Sequence, residues 1–145
     1  MQEINMKTKL IYLFATIITL LALASCGSQG TTLTGADRDA VLAFTESQTD
    51  NLLAGMKAGD YAVFSKDFDA DMLKAMTQSQ FEALKQDRDA KLGPYVSRAV
   101  NSVIQQGDFY IVVYDAVFEK DAAVVMRVVF RVAEPHQVSG LWFNK

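Results

Sequence analysis

One cysteine, one histidine, one tryptophan and two prolines in 145 residues rule out several kinds of protein. A lone thiol, Cys26, cannot build a disulfide framework. One thiol and one histidine, His136, give too few donors for a zinc site, and no metal or cofactor is assigned. No phosphate-binding glycine loop and no serine nucleophile elbow occurs. Positive charge is also in short supply, with 14 basic against 17 acidic residues and a formal net charge of −3. A domain of that sign has no general affinity for nucleic acid.

The chain has one long apolar run. Leu10 to Leu23 carries no charge, glycine or proline and follows Lys7 and Lys9, the layout of a secretory signal peptide. It is shorter than the ~20 residues a helix needs to cross a bilayer. Met6-Lys7-Thr8-Lys9 opens such a signal in the conventional way. The run ends in Leu23-Ala24-Ser25-Cys26, which resembles the bacterial lipobox: a branched apolar residue, two small ones, then the cysteine that is lipidated. Residues 1–25 are expected to be cut away, which removes two lysines and one glutamate and takes the net charge to −4. Two acyl chains on Cys26, at ~0.8 kcal/mol per buried methylene, suffice for stable anchoring to a membrane. The expected location is the cell envelope: the outer membrane in a Gram-negative host, since Gly27 is not aspartate, and otherwise the outer face of the cytoplasmic membrane.

Gly27 to Ala36 is small and polar and predicts a flexible linker, leaving residues 37–145 as the domain. Asp37 is the expected N-cap of a first helix to Ala58, with Leu42, Thr45, Thr49, Leu52, Leu53 and Met56 on one face. Asp60 caps a short second helix with Tyr61, Phe64 and Phe68, and another short stretch holds Met72, Leu73 and Met76. Ser79 and Glu82 fit a capping box, and Phe81, Leu84, Arg88 and Leu92 follow at helical spacing.

After Pro94 the period changes to alternation. Four strands are predicted: Tyr95 to Gln105, Phe109 to Glu119, Ala123 to Ala133 and Gln137 to Phe143. Short links join them as an antiparallel meander. Matching the apolar faces of the second and third strands requires paired numbers of equal parity, and a three-residue loop, Lys120-Asp121-Ala122, then sets Asp115 opposite Arg127 on the outer face.

Helices followed by a four-stranded meander, with Leu53-Ala54-Gly55-Met56-Lys57-Ala58-Gly59-Asp60-Tyr61, Leu92-Gly93-Pro94-Tyr95, Phe109 to Tyr114, Arg127 to Phe130 and Ser139-Gly140-Leu141-Trp142-Phe143, resemble the nuclear-transport-factor-2-like, or cystatin-like cone, superfamily. The likeness is closer to an uncharacterised lipoprotein-associated group within it. It implies an α+β roll with a curved antiparallel sheet around helices. It also implies a hollow that takes a small apolar molecule or peptide, with Tyr61, Phe64, Phe68, Met72, Met76, Phe81, Tyr110, Tyr114, Phe118, Met126 and Phe130 as candidate lining. The same residues also describe a filled core, the more ordinary of the two readings. A homodimer or protein partner on the sheet is a further implication, favoured if Trp142 is exposed.

Enzymes of that superfamily set an acid or histidine base beside tyrosine in the cone. Here His136 falls in a turn and Asp115 on the outer face, so no catalytic set is assigned, and a cofactor-free isomerase- or dehydratase-type enzyme stands third, to be favoured only by a buried carboxylate within reach of Tyr110 or Tyr114. Asp67-Phe68-Asp69-Ala70-Asp71 has the opening spacing of a calcium loop. Met72 stands where the turn glycine belongs and Gln78 where the bidentate glutamate belongs, so helix capping is the expected role.

Overall fold

The computed structural model describes residues 29–144. The signal segment, the lipobox residues Leu23, Ala24 and Ser25, and Cys26 itself lie outside the described residues. Among those described, no helix is long and apolar enough to cross a membrane.

A two-residue strand, β1 (Thr31–Thr32), precedes four helices: α1 (Gly35–Ala58), α2 (Tyr61–Phe64), α3 (Ala70–Ala75) and α4 (Gln78–Lys91). Four longer strands follow: β2 (Tyr95–Gln106), β3 (Phe109–Phe118), β4 (Asp121–Arg131) and β5 (Val138–Asn144). Short polar side chains at the helix starts satisfy amides that have no intrahelical partner. Asp60 accepts from the Val63 amide and Asp69 from the Met72 amide, both as expected.

Two expected caps are displaced. Helix α1 begins at Gly35 after Thr34, so Asp37 lies within its first turn, where its charge complements the helix dipole without capping it. The capping box of α4 is formed by Thr77 and Gln80 rather than Ser79 and Glu82. Tyr61 donates to the Met76 carbonyl at 2.7 Å and holds the chain immediately ahead of Thr77.

The sheet has five strands rather than four, in the order β1-β2-β3-β4-β5, all neighbours antiparallel. The extra strand comes from the stretch expected to be a free linker. Thr31 and Thr32 pair with Gln105 and Ile104, and the Leu33 amide donates to the Val103 carbonyl at 2.8 Å.

The β3–β4 register keeps the expected parity but slides by one pair. Asp115 lies opposite Val125, and Arg127 opposite Val113. The link is only Glu119-Lys120, and an irregularity between Ala116 and Phe118 takes up the odd residue. Asp115, exposed as expected, instead accepts from the Asn101 amide on β2 at 3.1 and 3.2 Å.

Alternation gives the sheet two unlike faces. Val112, Tyr114, Ala116 and Phe118 of β3 and Val124, Met126, Val128 and Phe130 of β4 are buried beneath the helices with Leu52, Leu53, Met56, Phe64 and Phe81. Gly55 lets α1 and α2 meet, since a Cβ there would lie 2.6 Å from the Phe64 Cα.

Candidate functional site

The eleven side chains proposed to line a hollow lie together between helices and sheet. Phe64, Phe68, Met72, Phe81, Tyr114, Phe118, Met126 and Phe130 are buried, and Tyr61, Met76 and Tyr110 pack against them partly exposed. Phe64 meets Phe68 edge-on at 5.0 Å and Phe81 at 4.6 Å between ring centroids, and Tyr61 tilts against Phe81 at 5.8 Å. Such contacts are the ordinary packing of a closed core.

An apolar cleft of about 420 Å³ opens at the edge of that core, between the last turns of α4 and the end of β5. Leu84, Leu92, Val124, Leu141 and Phe143 supply its apolar wall, with Arg88, Lys91 and Asp87 beside them and Trp142 at its rim. The volume falls within the range of small-molecule pockets, and the composition of apolar wall with a few polar groups is theirs too.

Arg88 is the unusual member. It lies on the apolar stripe of α4 and is only 4% exposed. Its Nη2 donates to Asp89, and the guanidinium lies 5.8 Å from the Phe118 ring. Its Nε and Nη1 have no hydrogen-bond partner among the described residues. A buried donor left unpaired costs about 1–3 kcal/mol, more for an ion, so this wall of the cleft is held at an expense that packing elsewhere must offset. Burial works to raise the Asp89 carboxyl, but hydrogen bonds and charge from Lys85 and Arg88 outweigh it and hold it below the usual value.

Arg88 was visible in sequence as a charge at the helical spacing Phe81, Leu84, Arg88, Leu92. Nothing local showed that it would be buried against Phe118, some thirty residues away.

A second cleft, about 410 Å³, lies at the opposite edge and includes Tyr110, Phe44, Asp37 and His136. His136, expected on the surface, is half-buried. Its ring stacks on Phe44 at 4.0 Å, and its Nδ1 lies 3.2 Å from the Arg131 carbonyl. The aromatic neighbours draw the turn inward.

One carboxylate does reach a core tyrosine. The Tyr114 hydroxyl donates to Glu46 at 2.7 Å and accepts from Thr49 at 3.1 Å, while Arg98 lies over the ring at 5.1 Å and pairs with Glu46 and Asp50. Burial, and Glu46 beside it, raise the Tyr114 hydroxyl well above an ordinary phenol. It therefore stays protonated and ties α1 to the sheet, while the Glu46 side chain is 41% exposed and held by Arg98.

The aspartate run Asp67-Phe68-Asp69-Ala70-Asp71 works as a clasp on β5. Asp69 accepts from Arg131 Nε at 2.7 Å and from the Ser139 hydroxyl, and Asp71 pairs with Arg131 at 3.1 Å. The Asp69 amide donates to the Val138 carbonyl, and the Val138 amide to the Asp67 carbonyl. No cluster of three or more histidine, cysteine or acidic residues suited to a metal occurs among the described residues.

The outer face of the sheet carries a second apolar feature. Ile104, Ile111 and Val129 line up across β2, β3 and β4 opposite Gly140, and Trp142 of β5, 52% exposed, lies against Gly140. Leu141 and Phe143 face the helices, which settles the orientation of the last strand.

These residues define an α+β domain in which helices cover one face of a five-stranded antiparallel meander. The chain belongs to the family described as "Protein of unknown function (DUF3887)", which matches residues 49–141. Among solved structures it is similar to an NTF2-like protein of unknown function from Cytophaga hutchinsonii ATCC 33406. That similarity has 10% sequence identity and a TM-score of 0.37, over 69% of this chain and 89% of that one. No curated protein matches the chain.

Proposed function

We propose that this chain is an extracytoplasmic lipoprotein, anchored to the cell envelope through lipid on Cys26, whose domain is a non-catalytic module that holds a small apolar molecule or peptide. The observation that carries the ligand reading is the apolar cleft of about 420 Å³ between α4 and β5. The lipobox Leu23-Ala24-Ser25-Cys26 behind a charged start and an apolar run carries the anchor.

Two measurements test the parts separately. Native mass spectrometry of protein from its own host should show a co-purifying small molecule. Filling the cleft with Leu141→Trp should abolish that peak, and its persistence would place the ligand elsewhere. For the anchor, Cys26→Ser should move the protein from the membrane fraction to the soluble one.

A second reading has its own observation. Exposed Trp142, with half-buried Ile111 and Ile104 beside it on the outer face, favours self-association or a protein partner through the sheet, because apolar surface of this kind commonly marks an interface. Sedimentation of the wild type and of Trp142→Ser tests it. A dimer lost in the variant supports this use of the sheet.

A further inference from the structure

The guanidinium of Arg88 sets the chemistry of the α4–β5 cleft. Arginine cannot shed its proton to escape burial. Phe118 packs beside it, Asp89 takes Nη2, and Nε and Nη1 remain as donors without acceptors, closed off from solvent, so that an acceptor reaches them as the side chain turns toward the cleft it lines. An anionic oxygen is the strongest partner for such a group.

Among the residues that line the cleft, positive charge is in excess. Lys91 lines the cleft and pairs with Asp87 at 2.7 Å at the surface. Lys85 shares Asp89 with Arg88, at 2.6 Å. Lys120 reaches over from the β3–β4 turn to the Asp89 and Ala90 carbonyls at 3.1 and 3.0 Å, which covers the negative end of the α4 dipole. Lys120 shares its turn with Glu119 and Asp121, so the positive excess belongs to the cleft lining, Arg88 and Lys91 against Asp87, in a chain that is acidic as a whole.

Building on the apolar-cleft reading above, we infer that the ligand is an amphipathic acid: an apolar chain or ring lying on Leu84, Leu92, Val124, Leu141 and Phe143, with its carboxylate on Arg88. At the roughly 30 Å³ that a water-sized group occupies, the cleft takes on the order of fourteen non-hydrogen atoms. A medium-chain acid such as decanoate matches that size.

The test uses the chain as its host processes it, titrated calorimetrically with decanoate, decanol and decyltrimethylammonium at neutral pH. Decanoate should bind at least tenfold more tightly than decanol, and the ammonium compound weakest. Arg88→Gln should lose that tenfold preference while binding decanol within about threefold of wild type.

The fluorescence of Trp142, the only tryptophan, should change on binding because it stands at the rim. Equal affinity for decanoate and decanol in the wild type overturns the acid assignment and leaves the apolar cleft standing. Binding of none of the three overturns both. If Arg88→Gln fails to fold, the wild-type ranking together with Arg88→Lys, which keeps the charge, still decides the matter.

Discussion

Replacing Asp69 with alanine removes the cap of α3, the acceptor of Arg131 Nε and the acceptor of the Ser139 hydroxyl in one step. A lost N-cap costs ~1 kcal/mol. The charge-assisted bond from Arg131 belongs at the low end of ~1.5–3 kcal/mol, because that arginine is 35% exposed and keeps Asp71. With the orphaned serine, the loss should reach about 3 kcal/mol, or a fall of roughly 12 °C in Tm for a domain of this size.

Asn at 69 keeps the cap and the volume and should cost about half as much. Asp71→Ala, whose carboxylate is 77% exposed, should cost under ~0.5 kcal/mol. Thermal and urea unfolding followed by circular dichroism measure all three.

Acid adds an independent readout. Burial works to raise the Asp69 carboxyl, yet bonds from Ser139, the Met72 amide and Arg131 outweigh it and hold it below its ordinary value. The folded state therefore binds fewer protons than the unfolded one. Its contribution is full above the ordinary aspartate value of about 3.9 and disappears as pH falls through the folded value. The stability gap between wild type and Asp69→Asn should shrink from pH 5 towards pH 2. Equal effects of the Asp69 and Asp71 substitutions, or a gap that ignores pH, would refute the clasp.

Gly55→Ala gains ~1 kcal/mol of helix propensity but drives a methyl into the Phe64 backbone, so a net loss of at least ~2 kcal/mol is expected in the same unfolding assay. Tyr114→Phe strips Glu46 of a donor and leaves the buried Thr49 hydroxyl without an acceptor, which should cost about 1–2 kcal/mol by urea unfolding. Asp115→Ala loses only the exposed contact with Asn101 and should stay within ~0.5 kcal/mol of wild type.

Much of the α+β order was legible because periodicity is strong where one face is buried: the four long strands and the α1 stripe of Thr45, Thr49, Leu52 and Met56 stand within a residue or two of expectation. Strand β1 was not legible. Two threonines among glycines carry no amphipathic signal, and they become a strand only by pairing with Gln105 and Ile104, more than seventy residues on. The shifted β3–β4 register has a similar origin, since alternation constrains parity but leaves the offset to the turn and its irregularity. The cleft was missed because its large aromatic neighbours carry the pattern, while its distinctive member, Arg88, takes its environment from Phe118 on another element.

Strand β1 also has a mechanical meaning. If Cys26 is held in a membrane as proposed, four residues lie between the anchor and Thr31, a leash of at most about 18 Å. A pull on the domain loads the Thr31–Thr32 pairing and the Leu33 bond first, and peeling that short strand takes only Leu33 from the margin of the core while the leash lengthens to about 32 Å, at Gly35. Because β1 and β5 are opposite edges of the sheet, four strand spacings or about 19 Å apart, the slack is let out on one side while the cleft rides on the other.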